Sequence, residues 1–409
     1  MTKNFKIMND KKLKRIGIDA RFYGPAGKGL GRYTQEVVDN IIKLDQENEY
    51  VIFLRRENYA EFSCDGVRVK KVLADIKWYG LAEQLVFPFY IWWERLDLMH
   101  FPHFNVPIFC PVKFVVTIHD LILIKFPTSR ATTLGPLIYK IKNLAYKIVI
   151  SAAVRRARKV LAVSQFTKDE IVKQFKVDAE KVVVTYEGVA KLTKTPPTPL
   201  LKGGEVGICP PCKGGIGRFN QYILYVGNAY PHKNLEGLIK VFSQINSAKV
   251  AKETKSPKGD LVSSGLNLVL VGKEDYFYSR LKQYAKNFSK NIIFPGYVPD
   301  SELGALYDNA LAYVFPSFYE GFGLPPLEAM AYGLAVVSSN KTCLPEILCD
   351  AALYFNPDDE ADMKNKIERV MADGKLREDL RSRGYGQVKK YSWRECAEKT
   401  LEVYKKVLK

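Results

Sequence analysis

The chain has 409 residues, more than one hydrophobic core usually supports, so two domains are expected. A hydrophobic share of 47% and a charged share of 26% exclude a collagen-like, coiled-coil or wholly disordered protein. The 62 Lys and Arg against 44 Asp and Glu give +18, which favours an anionic partner without choosing among a nucleoside diphosphate, a phospholipid surface and a nucleic acid.

Residues 1–6 lack the apolar run of an export signal, and the seven cysteines are scattered and odd in number. Reduced thiols in a cytosolic compartment are the expectation. No run approaches the roughly 18 apolar residues of a membrane span. The nearest, 86–93 and 113–126, are too short or broken by charge.

In chain order, β-rich runs are read at 15–20, 50–55, 67–73, 114–117, 160–163 and 182–185, with amphipathic helical stretches such as 32–44 and 165–175 between them. This alternation predicts a mostly parallel sheet covered by helices. The rhythm breaks over 190–219, where Pro, Gly and Lys dominate, and this segment is read as an interdomain linker lengthened by insertion. Within it Cys209-Pro-Pro-Cys212 has paired spacing but no second pair or nearby His, so no metal site is assigned. Strands restart at 222–226, 268–271, 292–294, 312–315 and 335–338, with a second polar insertion over 252–264. Ligands of such sheets bind at the carboxyl ends of the strands, beside helix N-termini.

The most informative segment is 317–331, Ser-Phe-Tyr-Glu-Gly-Phe-Gly-Leu-Pro-Pro-Leu-Glu-Ala-Met-Ala. A buried strand leads into a glycine turn, and prolines stand where a helix begins, as their fixed φ and missing N–H allow. The amides of Gly321, Phe322, Gly323 and Leu324 are expected to face outward beside a helix N-terminus, suited to a diphosphate or sugar hydroxyls. Glu320 at the strand tip and Glu328 one turn into the helix can accept hydrogen bonds from vicinal hydroxyls.

This segment resembles the E-x7-E signature of the retaining family 4 glycosyltransferases of GT-B fold, and the resemblance runs over nearly the whole chain. It implies an α/β protein of two Rossmann-like parallel-sheet domains facing across a cleft: an acceptor-side domain at 1–189, the linker at 190–219, a donor-nucleotide domain at 220–390, and a helix at 391–409 crossing back. It implies that Glu320 contacts the transferred sugar and Glu328 the nucleotide ribose. Residues 225–235 look like the family's phosphate loop, so Gly227 and Lys233 are expected at the donor. Asn228 and His232 stand where many members carry an Arg, leaving the second phosphate cation to His232 or a backbone amide. The glycine-rich stretch 21–33 looks like the loop that faces the diphosphate, with Gly29 and Gly31 at the donor. His119, at the end of a strand, matches a histidine that points at the donor sugar. Ser164 is read as a helix cap. Tyr297 and Val298 fall in the loop that reads the base, and Trp393 is expected in the core.

The implied reaction moves a sugar from a nucleoside diphosphate to an acceptor hydroxyl with retention, His119, Lys233 and Glu320 forming the catalytic set. The nucleotide-sugar is a co-substrate, and neither a metal nor another cofactor is expected. The Pro-His-Lys-Asn-Leu form of the phosphate loop looks most like bacterial mannosyltransferases of surface-polysaccharide assembly. GDP-mannose is therefore the first expectation for the donor, UDP-glucose and dTDP-rhamnose remaining open, and a glycan or lipid-linked glycan is the expected acceptor. A sugar-nucleotide epimerase of the same architecture is the alternative. A glycoside hydrolase would not need phosphate-facing loops. An RNA-binding protein explains the charge but not residues 317–331, so no nucleic acid partner is expected. Finally, Lys140, Lys142, Lys147, Arg155, Arg156, Arg158 and Lys159 interleave with apolar residues and no acid. This pattern suits peripheral contact with the inner face of an anionic membrane, or equally a packed helix with a solvated basic face.

Overall fold

The computed structural model describes residues 13–24, 27–63, 68–126, 136–189, 221–253, 265–288 and 291–409. The Cys209–Cys212 pair, the linker at 190–219 and all but the first two residues of the insertion at 252–264 lie outside them.

The first sheet is formed by β1 (Arg15–Asp19), β2 (Glu49–Leu54), β3 (Val69–Leu73), β4 (Leu98–Phe101), β5 (Phe114–Ile118), β6 (Lys159–Ala162) and β7 (Val182–Val184). The second is formed by β8 (Gln221–Val226), β9 (Leu266–Val271), β10 (Ile292–Gly296), β11 (Ala312–Phe315), β12 (Val336–Ser339) and β13 (Ala352–Phe355). The helices of the first half are α1 (Lys28–Leu44), α2 (Leu81–Leu85), α3 (Phe87–Trp93), α4 (Ile122–Lys125), α5 (Pro136–Arg156) and α6 (Gln165–Phe175). Those of the second are α7 (Leu235–Glu253), α8 (Tyr276–Ala285), α9 (Asp300–Asn309), α10 (Leu324–Ala331), α11 (Leu344–Leu348), α12 (Glu360–Ala372), α13 (Gly374–Val388) and α14 (Trp393–Leu408).

Every strand pairing is parallel, in the orders β3-β2-β1-β4-β5-β6-β7 and β10-β9-β8-β11-β12-β13. Strands such as β5 and β11 are buried along their whole length because helices cover both faces of the sheet, so they read as continuous apolar runs. Strand order reverses between β1 and β4 in one sheet and between β8 and β11 in the other. At such a reversal the flanking loops diverge and open a crevice at the carboxyl ends of the strands. The two crevices hold the candidate site.

Two strands escape the sequence reading. β4 is four residues long with a histidine inside it, and β13 is equally short; both are held by sheet neighbours rather than by their own pattern. Helix α1 begins at Lys28, four residues before the expected 32, so Gly29 and Gly31 lie in its first turn and not in a loop. Residues 252 and 253, expected in an insertion, still belong to α7.

The last helix returns to the first domain. α14 packs along α1 and against β4 and β6. Tyr404 Oη lies 2.6 Å from His100 Nδ1, and Trp393 is buried against Tyr33 and the backbone at Gly188.

Candidate active site

The second sheet supplies a lysine and two carboxylates. β8 ends at Val226, and the loop after it is fixed from below: Tyr278 Oη donates to the Gly227 carbonyl (2.8 Å) and Tyr225 Oη to the Asn228 carbonyl (2.8 Å). A short 3-10 turn at Pro231–Lys233 then lifts Lys233 over the ring of Phe315, the last residue of β11. Its Nζ donates to Glu320 Oε1 at 2.6 Å, both side chains being largely buried. The His232 carbonyl accepts from the Phe318 amide (2.8 Å), so the phosphate loop and the glutamate loop move together.

The glutamate loop is braced underneath. The Glu320 amide donates to Thr342 Oγ1, and the buried Cys343 thiol lies against the carbonyls of Glu320 and Phe322. Gly323 caps α10 at φ +93°, a conformation that strains any side chain, and Pro325 and Pro326 occupy the first turn. The Phe322 side chain is buried against Tyr391. Leu324 is half-buried at the helix start. In the loop after β10, Val298 is buried and Tyr297 is largely exposed.

Glu328 projects from α10 toward the other domain and accepts a hydrogen bond from Arg32 Nη1 of α1 at 2.6 Å. Burial raises the Glu328 pKa, and Arg32 opposes that shift. Arg32 lies within the glycine-rich stretch 21–33, where the sequence pattern points to Gly29 and Gly31 but not to it. Its signal in sequence is only a cation one turn into a helix, and the partner is 296 positions away.

Arg32 also bears on the cation left unassigned at Asn228 and His232. The His232 imidazole is held down to about 3 by burial and by neighbouring Lys233, so it is neutral near pH 7. The two cations paired with the signature carboxylates are Lys233, from the same domain, and Arg32, from the other.

From the first sheet, His119 follows β5 with both ring nitrogens engaged, Nδ1 with Glu187 Oε1 (3.0 Å) and Nε2 with the Pro102 carbonyl (2.9 Å). Its ring stands edge-on to Tyr33. Burial lowers its pKa, but the hydrogen bond and charge of Glu187 outweigh this and the net direction is upward. An imidazolium can donate from both nitrogens, which matches the two acceptors. Burial raises the Asp120 carboxyl, with His119, Glu320 and Lys233 all close enough to act on it electrostatically.

The domains meet through backbone as well as side chains. Gly321 lies so close to the first domain that a Cβ there would fall 1.8 Å from the His119 carbonyl oxygen. Ser164 Oγ, at the N-terminus of α6, donates to the Gly321 carbonyl (2.6 Å) and accepts from the Thr167 amide (3.1 Å), so Ser164 is a helix cap that also bridges domains. The Glu346 carboxylate accepts from the Gln165 and Phe166 amides at the same helix start. Gly31 is required for packing, since a Cβ there would meet the Gly24 carbonyl oxygen at 2.1 Å; Gly29 faces open space at the start of α1. The structure therefore brings Lys233, Glu320, Gly321, His119 and Asp120 together, and Glu328 with Arg32.

Comparison with known proteins bears on the family and the fold. The model of glycosyl transferases group 1 matches residues 214–387, and that of glycosyltransferase family 4 matches residues 27–190. The chain is 29% identical over 399 residues to O-antigen chain mannosyltransferase B of Escherichia coli, covering 92% of this chain and 96% of that one. It is 27% identical over 354 residues to O-antigen chain mannosyltransferase RfbU of Salmonella typhimurium, covering 85% and 88%. Among solved structures, sucrose-phosphate synthase from Thermosynechococcus elongatus superposes with a TM-score of 0.69 at 19% identity, covering 96% of this chain and 99% of that one. The fold and the site thus define a nucleotide-sugar-dependent glycosyltransferase of GT-B fold. The chain belongs to the group 1, family 4 glycosyltransferases.

Proposed function

We propose that this enzyme transfers mannose from GDP-mannose, with retention at the anomeric carbon, to a hydroxyl of a lipid-linked glycan during surface-polysaccharide synthesis. The observation that carries the reading is the pair of carboxylate–cation contacts at the crevice, Lys233–Glu320 and Arg32–Glu328. A diphosphate competes for the cations while sugar and ribose hydroxyls take the carboxylates, so one ligand satisfies all four groups. The names of the Escherichia coli and Salmonella relatives support mannose and the polysaccharide setting. The family models matched are those of glycosyltransferases, which leaves the epimerase alternative without support.

In the proposed reaction the bond from the anomeric carbon to the phosphate oxygen breaks and its electron pair stays on the diphosphate. The acceptor oxygen bonds to the same carbon on the same face, and its proton passes to the departing phosphate oxygen. Lys233 stabilises the charge that develops there. Glu320 orients the sugar and Glu328 the ribose. His119 acts as a positive wall of the sugar pocket, its ring fixed by Glu187 and Pro102. Neither a metal nor a resident cofactor takes part in this scheme. The exposed cations of α5, Lys140, Lys142, Lys147, Arg155 and Arg156, are proposed to face the anionic cytosolic leaflet where a lipid-linked acceptor resides. Lys159 is not among them: it lies on β6, and its ammonium donates to the Glu180 carbonyl.

The test is a thermal-shift panel of GDP-, UDP- and dTDP-sugars on the wild type, Glu328→Ala and Lys233→Ala. Stabilisation by GDP-mannose, lost in both variants, is the expected result. A folded wild type that responds to none of the sugars would remove the donor site from this reading, and a response to another base would correct the donor.

A further inference from the structure

The first domain carries a surface that does not suit water. α2 and α3 are short, and α3 reads Phe-Pro-Phe-Tyr-Ile-Trp-Trp. Phe87 and Ile91 pack into the core, but Phe89, Trp92 and Trp93 are 69%, 63% and 76% exposed. Leu81 and Leu85 on α2 also face solvent, as does Phe109, at 77% exposure, in the loop after β4.

These side chains form one face with α5. Gln84 of α2 ties down the 106–108 loop through the Ile108 amide and the Val106 carbonyl. The Arg156 guanidinium of α5 sits 5.9 Å from the Phe109 ring centroid, and Phe104 packs edge-on against Tyr146 of α5 at 4.8 Å. Along α5 the exposed residues include Ile141, Leu144 and Ile148, one helical stripe flanked by Lys140, Lys142 and Lys147.

The acids of α2 and of the α3 C-terminus are turned inward. Glu83 is buried against Arg21 at 2.7 Å, and Glu94 is buried against Arg15 at 3.0 Å and Lys70 at 2.7 Å. α5 itself contains no acidic residue. The face therefore presents aromatic and aliphatic groups ringed by cations. A second copy of the same face would set cation against cation. An anionic bilayer complements both parts, since Trp and Phe settle at the headgroup boundary and lysines pair with acidic lipid. Among the described residues no helix is long and apolar enough to cross a membrane, so contact through this face is peripheral.

We infer that α2, α3 and the Phe109 loop form a membrane-inserting wedge that docks the first domain, together with basic α5, onto an anionic bilayer. The wedge also has a path to the site. Tyr79, at the start of α2, packs against Phe104 (5.8 Å) and His103 (6.2 Å), and His103 stacks at 6.2 Å on His119. A lipid-linked acceptor held in the cytosolic leaflet beneath the docked surface reaches His119 along this aromatic edge. That last step rests on the transferase reading; the docking itself does not.

The test uses the full chain and extruded vesicles of phosphatidylcholine with or without phosphatidylglycerol, read by flotation and by tryptophan emission. The expected result is flotation with the anionic vesicles and a blue shift of emission. Trp92→Phe/Trp93→Phe should still float but lose most of the shift, whereas Trp92→Ser/Trp93→Ser should lose at least tenfold in bound fraction with unchanged circular dichroism. Failure to float would overturn the inference. Flotation without a blue shift would overturn it too, leaving only charge attraction by α5. A wild-type dimer that the Ser variant dissociates, with no vesicle binding by either, would assign the face to a second copy instead. Donor-induced thermal shift on the same samples separates this inference from the proposed function, because docking variants should keep the shift.

Discussion

Arg32 of the first domain and Glu328 of the second meet 2.6 Å apart across the cleft, and both side chains are substantially buried. Removing Arg32 leaves a buried carboxylate without its cation, which costs about 1–3 kcal/mol for an unsatisfied polar group. Arg32→Ala should therefore lower stability by that order in denaturant unfolding. The loss should be largest near neutral pH and shrink as pH falls and Glu328 protonates, because burial already favours its neutral form. Arg32→Ala/Glu328→Gln should recover part of the loss; a double variant no better than the single one would show that the pair is not coupled.

Lys233 is the cation paired with Glu320, the glutamate proposed to orient the sugar. Lys233→Ala should reduce turnover by about a hundred- to a thousand-fold, the scale of losing one electrostatic contact to a developing oxyanion. Melting temperature without donor should also fall in the alanine variant, because Glu320 is left buried without its cation as Glu328 is in Arg32→Ala. Steady-state kinetics of the alanine and arginine variants checks this, with arginine expected to restore part of the rate.

His119 gives a stability signature with a definite sign. Its folded pKa is raised, so the protonated imidazole and Glu187 stabilise the fold fully below the unfolded histidine value of about 6.5, and that contribution fades as pH rises through the raised value. The difference in unfolding free energy between wild type and His119→Asn should thus fall as pH is raised above about 6.5. A difference that grows over the same range would contradict the ion pair.

Gly321 is pressed against the first domain at a spacing that leaves no room for a methyl group. Gly321→Ala should hold the cleft open without unfolding either sheet. Small-angle scattering should report a larger radius of gyration, and activity should fall while circular dichroism stays the same. An alanine variant with wild-type activity would mean that this contact is not part of the working conformation.

Much of the fold was legible because parallel strands buried on both faces are continuous apolar runs, as at 222–226 and 312–315. β4 and β13 were not, since four residues carry too little pattern and neighbouring strands do the holding. Within the site, Glu320, Glu328 and Lys233 were readable because turn chemistry and family form surround them. Arg32 and Glu346 were not. Each has its partners in the other domain, and nothing local to an arginine on one helix or a glutamate on another announces such a contact. The wedge was hidden for a different reason: residues 86–93 read as an aborted span, and only the packing of Phe87 and Ile91 shows which side is left outside.

The return of α14 sets an order of events during synthesis. His100 and Tyr404 are 304 positions apart, yet they share one buried contact, and Trp393 closes over Tyr33. Domains usually fold as they emerge, N-terminal first. Here the first domain leaves the ribosome with a helix-shaped groove along α1, and it keeps that groove until the second domain has been made and α14 has followed it out. The first domain thus carries an uncovered apolar groove throughout synthesis of the second, and its core is completed only when the last residues of the chain dock.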